Sequence, residues 1–563
     1  MPAPEKNSLT RIEWLAAALI TLAVLWLHLH FWQNAGGLWR DEINTVNLAQ
    51  NPSFAALSHD TFPILMPLTV KIWSVFGRSD LSLRFLGMIF GLLLPLAFWL
   101  VARATQKPPL FSLVLFGMNP LLIGYGDSLR AYGLGSALLV LALAAMWAFL
   151  KSPTWSRAGM VALMATLSVQ TLFQSALLFF AVGLGAFAVC ARRKDFPAAQ
   201  KIICAGTVAA LSLLPYVPNF FALQTAAVEL RRGFSLFITN LNFEMATGFP
   251  FLPFTAVWQM LAVLVIGLAA LSLRQKRTDS GFRAAQTPSP SVASGDGTTD
   301  APKASATNSS DSRIDLALFA GVTLAAVIAL FVGFLWFAAA GARPWYFLPP
   351  LALAAVAFDF GLPLTALPRL ARVSVLAVLL GLATVATLFA TNDLRGHFTN
   401  ANQLAARVAA EAASQDFVIV TPWFCGITFD RYFSAETPWS TLPPLADHAT
   451  HRYDLVLDAM KDTNSLAPVL EKISATLRAG QRVWVVGLME FPDANSVGPL
   501  ILPPPPLKDY GWSDTPYLGS WRDRTAYFLA RHSQRFEILT GPNDGAPIFQ
   551  ENLRLFRAEG WRE

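Results

Sequence analysis

Trp14-Leu-Ala-Ala-Ala-Leu-Ile-Thr-Leu-Ala-Val-Leu-Trp-Leu-His28-Leu-His30-Phe-Trp32 is the stretch on which the fold turns. It is close to the ~20 apolar residues that cross ~30 Å of hydrocarbon. Lys6 and Arg11 precede it, but it runs on through Gln33-Asn34 with no small-residue cleavage site. It therefore reads as a retained first span with a cytoplasmic N-terminus rather than a secretory signal. Similar runs recur at roughly 83–102, 109–123, 131–150, 158–173, 174–190, 201–217, 251–273, 314–338, 345–363 and 372–391. That makes about eleven spans, each obliged to be helical because lipid satisfies no free backbone group.

Composition agrees. The 563 residues are 54% hydrophobic and 14% charged, against about 25% charged in a soluble domain. Mean hydropathy is +0.46. These values exclude a disordered chain, a coiled coil and an ordinary cytosolic enzyme. The net charge of +6 fits cytoplasmic loops better than nucleic-acid binding, so no nucleic-acid partner is expected. Counting from an inner N-terminus, Arg103 with Lys107, Lys151 with Arg157, Arg192-Arg193-Lys194, Arg274 to Arg277, and Arg369 with Arg372 all fall inside. An odd span count then puts the C-terminus outside. Cys190, Cys204 and Cys425 are too few and too scattered for a disulfide framework or a zinc site.

Three segments lie outside the apolar runs. Residues 33–80 form a first outer loop carrying Trp39-Arg40-Asp41-Glu42 and an amphipathic piece over 65–76. Residues 275–312, rich in Ser, Thr, Ala, Gly and Asp, read as a disordered cytoplasmic linker. Residues 395–563 have ordinary charge density. Helical runs at 401–413, 465–478 and 521–532 alternate there with strand-like runs at 417–421, 482–487 and 536–539, the pattern of an extracytoplasmic α/β domain. The chain thus divides into a membrane domain, 1–394, and a C-terminal domain, 395–563.

Asp41-Glu42 is the sharpest chemical feature. A carboxylate near the bilayer surface can accept a proton from an attacking hydroxyl or hold a divalent metal. The same doublet also suits the N-terminus of a helix over 43–50. A second stretch, Asn119 to Tyr132, lies outside after the third run and holds Tyr125, Asp127, Arg130 and Tyr132. Arg130 can bind a phosphate bidentately or snorkel to headgroups. The tyrosines can bond the same group or sit in an aromatic belt, and Asp127 can pair with Arg130 or ligate a metal. Arg84 and Arg343, the latter followed by Trp345-Tyr346, are outer-face arginines that need a partner, either lipid phosphate or carboxylate. The outer loop 217–250, with Arg231, suits a gating loop or a solvated charge run, and His59 is a weaker site candidate. No Walker loop, dinucleotide fingerprint or nucleophile elbow is present. An outward-facing transferase would therefore need a group delivered already activated on a lipid.

In order, Leu38-Trp39-Arg40-Asp41-Glu42, the piece 62–76, Asp80-Leu-Ser-Leu-Arg84-Phe-Leu-Gly87, Asn119 to Tyr132, and Arg343-Pro-Trp-Tyr346-Phe-Leu-Pro349 resemble the glycosyltransferase C superfamily. The likeness is to the bacterial relatives of dolichyl-phosphate-mannose protein mannosyltransferase and lipid A aminoarabinose transferase, and it covers about 1–390. The chain departs from many relatives at Thr61 to Pro67, where they carry His-Pro-Pro, and at Ser128, where they carry Glu. The resemblance implies a polytopic membrane glycosyltransferase using a polyprenyl-phosphate sugar donor and inverting transfer to a glycan, lipid or protein acceptor. It implies the outer face of a bacterial inner membrane, with the C-terminal domain periplasmic. Asp41 matches the family's catalytic acid, with Glu42 beside it. Arg130 and Tyr132, with Arg84, Arg343 and Tyr346, would serve the donor phosphate, and a divalent metal remains open. A flippase or transporter of lipid-linked glycans is the alternative. It would want ionisable residues near the midplane, whereas the charges here gather at outer ends.

Overall fold

The structure is a computed structural model that describes residues 5–50, 62–218, 237–241, 243, 254–284, 303–337, 343–362, 364, 367–492, 514–539 and 546–563. Among them, seven helices are long and apolar enough to cross a membrane: Leu9–Asn34, Asp80–Thr105, Ala131–Lys151, Gln174–Arg193, Phe196–Tyr216, Ser312–Phe337 and Arg369–Asp393. Their exposed side chains are largely apolar, such as Leu15, Leu22, Leu96, Leu370, Val378 and Leu388. Lipid tails, not water, suit such a surface, and the chain is a multi-pass membrane protein.

The remaining apolar runs are shorter pieces within the same bundle: Trp155–Val169, Ala256–Leu271 and Leu348–Gly361. The run at 109–123 is broken. A π-helical turn, Ser112–Gly117, gives way at Asn119, whose side chain caps a new helix starting at Pro120. Helices also extend into both ends of the stretch read as a linker, reaching Ala284 and resuming at Lys303. Residues 285–302 lie outside the described residues.

We label six helices: α1 (Glu5–Asn34), α2 (Arg40–Gln50), α3 (Leu65–Trp73), α4 (Asp80–Thr105), α5 (Pro120–Gly126) and α6 (Ala131–Lys151). α6 is the bundle's centre, with 72% of its apolar window buried, against 28% for Arg369–Asp393 at the edge. Buried ion pairs tie helices together at the end predicted to face the cytoplasm. Asp315 takes Arg192 and Arg193, and Glu13 takes Arg372. At the C-terminal end of α3 and just after it, exposed Ile72, Val75 and Phe76 form an apolar edge suited to the interface.

The C-terminal part holds β1 (His397–Thr399), β2 (Phe417–Thr421), β3 (Trp439–Thr441), β4 (Val483–Gly487), β5 (Ser533–Leu539), β6 (Ile548–Glu551) and β7 (Arg554–Trp561). Five of these form one sheet in the order β3-β2-β4-β7-β5, parallel across β3, β2 and β4 and antiparallel at β7. β2 and β4 are buried throughout because both faces are covered. Alternate residues Ile419 and Val485 pack under Ile473 and Trp521, while Val418, Val420, Trp484 and Val486 pack on Leu404 and Phe429. The second face, with the helix Cys425–Tyr432, lies against the membrane part. Tyr432 accepts from the Leu38 N–H at 2.7 Å, and Arg431 pairs with Asp80 at 2.6 Å.

A candidate active site between the outer loop and the C-terminal domain

The adjacent carboxylates of Asp41 and Glu42 have different surroundings because successive residues on a helix diverge by about 100°. Glu42, in the first turn of α2, reaches back to accept the Trp39 N–H at 3.2 Å, half of a capping box. Its other oxygen takes Arg84 Nη1 at 2.5 Å and the Leu129 N–H at 3.0 Å. Arg84 completes its fork on the Gly37 carbonyl at 2.6 Å. Glu42 is 0% exposed and Arg84 3%, so this pair clamps α2 to α4 and offers no surface to a substrate. Burial raises the Glu42 carboxyl despite Arg84.

Asp41 faces the other way, with its side chain 19% exposed. Its Oδ1 meets His451 Nε2 at 3.3 Å and Arg40 Nε at 3.4 Å. Burial would raise this carboxyl, but Arg130, His451 and Arg40 together hold it well below the ordinary carboxylate range. Arg130 lies behind it, donating through Nη1 to the Asp41 carbonyl at 2.9 Å and to Thr45 Oγ1 at 3.0 Å. Its guanidinium sits 4.2 Å from the Phe62 ring centre, and Phe62 in turn meets Tyr132 edge-on.

The break at Asn119 makes this arrangement possible. α5 stops at Gly126, and the chain from Asp127 to Arg130 crosses into the bundle before α6 resumes. Asp127 bonds His28 at 2.6 Å rather than Arg130. Two glycines admit it: a methyl built on Gly87 or Gly91 would fall 1.9 Å from the Asp127 carbonyl oxygen or 1.7 Å from its Oδ1.

Above Asp41 lies the C-terminal domain. The His451 N–H donates to Asn44 Oδ1 at 3.0 Å, and Asn47 donates to the Ala449 carbonyl at 2.7 Å. Arg40 stacks 4.2 Å from Phe424 and stands 3.8 Å from Glu551, which also accepts from Thr428. Burial raises Glu551 to about 7 despite Arg40. Gln550 donates to the Tyr125 hydroxyl at 2.6 Å. Tyr125, Trp39, Trp345 and Phe398 make one aromatic cluster, buried except for the half-buried Trp345. Arg343, beside Trp345, is exposed and makes no ion pair among the described residues. Tyr346 is partly buried against Trp345.

Of the residues singled out in the sequence, Asp41, Glu42, Arg84 and Arg130 are linked directly. Tyr125, Tyr132, Arg343 and Tyr346 surround them through aromatic contacts and charge, and Asp127 stands apart on His28. His59 and Arg231 lie outside the described residues. Among the described residues no group of three or more His, Cys, Asp or Glu could hold a metal ion. Sequence reasoning missed His451, Glu551 and Arg40. Only the neighbouring Asp41 could have marked Arg40, and nothing local marks the other two.

No protein-family model and no curated protein matches the chain. Similar solved structures include "Crystal Structure of ArnT from Cupriavidus metallidurans bound to Undecaprenyl phosphate", 14% identical, with a TM-score of 0.46 over 83% of this chain and 92% of that one. The same protein in the apo state is also 14% identical, with a TM-score of 0.48 over 84% of this chain and 92% of that one.

Proposed function

We propose that the chain is a membrane glycosyltransferase that moves a sugar, with inversion, from a polyprenyl-phosphate donor to an acceptor hydroxyl. The side is the outer face of a bacterial inner membrane, with the N-terminus cytoplasmic and the C-terminal domain periplasmic. The observation that carries this reading is the convergence of Asp41, Glu42, Arg84 and Arg130 from separate outer segments onto one cluster beneath the C-terminal domain. Those segments are the ones that carry the family resemblance.

The acceptor oxygen attacks the anomeric carbon and the bond to the phosphate oxygen breaks, the phosphate leaving with the electron pair. The acceptor proton passes to Asp41. A carboxylate held this low is a weak base toward a resting hydroxyl. It takes the proton only as the attacking oxygen becomes positive, late in the transition state. Exposed Arg343 is the cation open to the departing phosphate, while Arg130 stays behind Asp41 and Arg84 stays on Glu42. Stabilising developing negative charge in this way contributes roughly 10²–10³ in rate per donor.

Mass spectrometry of membrane lipids tests the assignment whatever the sugar is. Cells lacking the protein, or carrying only Asp41→Asn, should accumulate one polyprenyl-phosphate sugar that wild-type cells consume. Identical lipid profiles in all three would remove the donor assignment.

A further inference from the structure

We propose that His451 is a positioning residue of this site, supplied by the C-terminal domain to fix the Asp41 carboxylate. The inference rests on the reading of Asp41 as the base. Both close contacts to that carboxylate fall on Oδ1, from His451 Nε2 at 3.3 Å and Arg40 Nε at 3.4 Å. Oδ2 accepts no hydrogen bond among the described residues, so it is the oxygen left for the acceptor proton. A bond to the Asp41 carboxylate requires the hydrogen on Nε2, which fixes the tautomer, and Nδ1 makes no hydrogen bond on the far side.

The imidazole is itself held. Its backbone N–H is anchored on Asn44, its ring stacks with Tyr453 at 5.8 Å, and Trp423 meets it edge-on at 6.3 Å. At 7% exposure it has little room to rotate. Arg40, the second contact, is supported from the same side by Phe424 and Glu551. The torsion that aims Oδ2 is therefore set from the C-terminal domain, and the site is incomplete until that domain docks. A carboxylate free to swing would lose the alignment on which a positioned base depends.

The test uses the full chain with His451→Phe, which keeps the aromatic packing, and His451→Gln, which restores a donor. The expected result for His451→Phe is a fall in kcat of ~10–100-fold, the scale of a misplaced catalytic group, with the donor KM within about twofold. His451→Gln should recover most of the loss, because its amide can donate to Oδ1. Wild-type kcat in His451→Phe, equal loss in both variants, or a loss confined to KM would each overturn the inference. Asp41→Asn separates the two layers. If it turns over normally, the reading of Asp41 as base fails. If it is inactive while His451→Phe is normal, only the role of His451 fails.

Discussion

Replacing Arg84 with Met asks whether this arginine holds Glu42 or binds a donor phosphate. The pair is 2.5 Å apart, with exposures of 3% and 0%. At an effective dielectric of 20 the gross attraction at that distance is about 7 kcal/mol. Desolvating each ion costs several kcal/mol, so the intact pair is close to neutral relative to apolar residues. Removing one partner is different. Glu42 would be left buried against only the Trp39 and Leu129 N–H groups, and breaking such a pair costs about 3–5 kcal/mol. Arg84→Met should therefore lower Tm sharply. Glu42→Gln in the same chain should recover part of the loss, because the orphaned charge is gone. Thermal unfolding of the four proteins of this cycle in one detergent reads the coupling, expected within about 0.5–3 kcal/mol and favourable to the pair. An unchanged Tm in Arg84→Met, with donor KM raised instead, would refute the assignment and return Arg84 to the phosphate.

Other consequences follow from the same geometry. Arg343→Ala should lower kcat/KM by roughly 10²–10³ through weaker phosphate stabilisation while leaving Tm unchanged, as steady-state kinetics and melting on one preparation would show. A methyl at Gly91 would lie 1.7 Å from Asp127 Oδ1. Gly91→Ala should therefore destabilise by about 1–3 kcal/mol or more, and a wild-type Tm would show that the crossing at Asp127 yields easily. Glu551 titrates near 7 in the fold against an ordinary value of about 4.3. Its folded pKa is raised, so its stabilising contribution is complete below about pH 4 and is lost as pH rises through 7. The span corresponds to roughly 4 kcal/mol at 1.36 kcal/mol per unit. The melting temperature should fall from pH 5 to pH 8, and Glu551→Gln should flatten that slope.

Much of the architecture is written in local sequence. A run such as 14–32 or 131–150 has no soluble alternative, and the buried strands Phe417–Thr421 and Val483–Gly487 carry continuous β-branched and aromatic residues. The break at Asn119-Pro120 falls inside the run 109–123, which the apolar pattern reads as one span, and its consequence, the crossing of Asp127 under Gly87 and Gly91, depends on tertiary packing. The Asp41-Glu42 doublet marked the cluster but hid the different surroundings of its two carboxylates. Helical phase sends one carboxylate to Arg84 and turns the other toward the C-terminal domain. His451 and Glu551 carry no signal at all, since a histidine more than four hundred residues from its partner has no spacing to betray it. Arg84 asked for a partner, lipid phosphate or carboxylate, and the sequence did not choose because the carboxylate that neutralises it lies on another segment.

The most direct test takes the lipid that accumulates in cells lacking the protein and gives it to the purified enzyme. Wild type should release polyprenyl phosphate from it and transfer the sugar with inverted anomeric configuration. Asp41→Asn, folded to the same Tm, should be slower by about 10²–10⁴. Equal release by the two proteins would contradict the central claim that Asp41 is the base of a glycosyl transfer at this site.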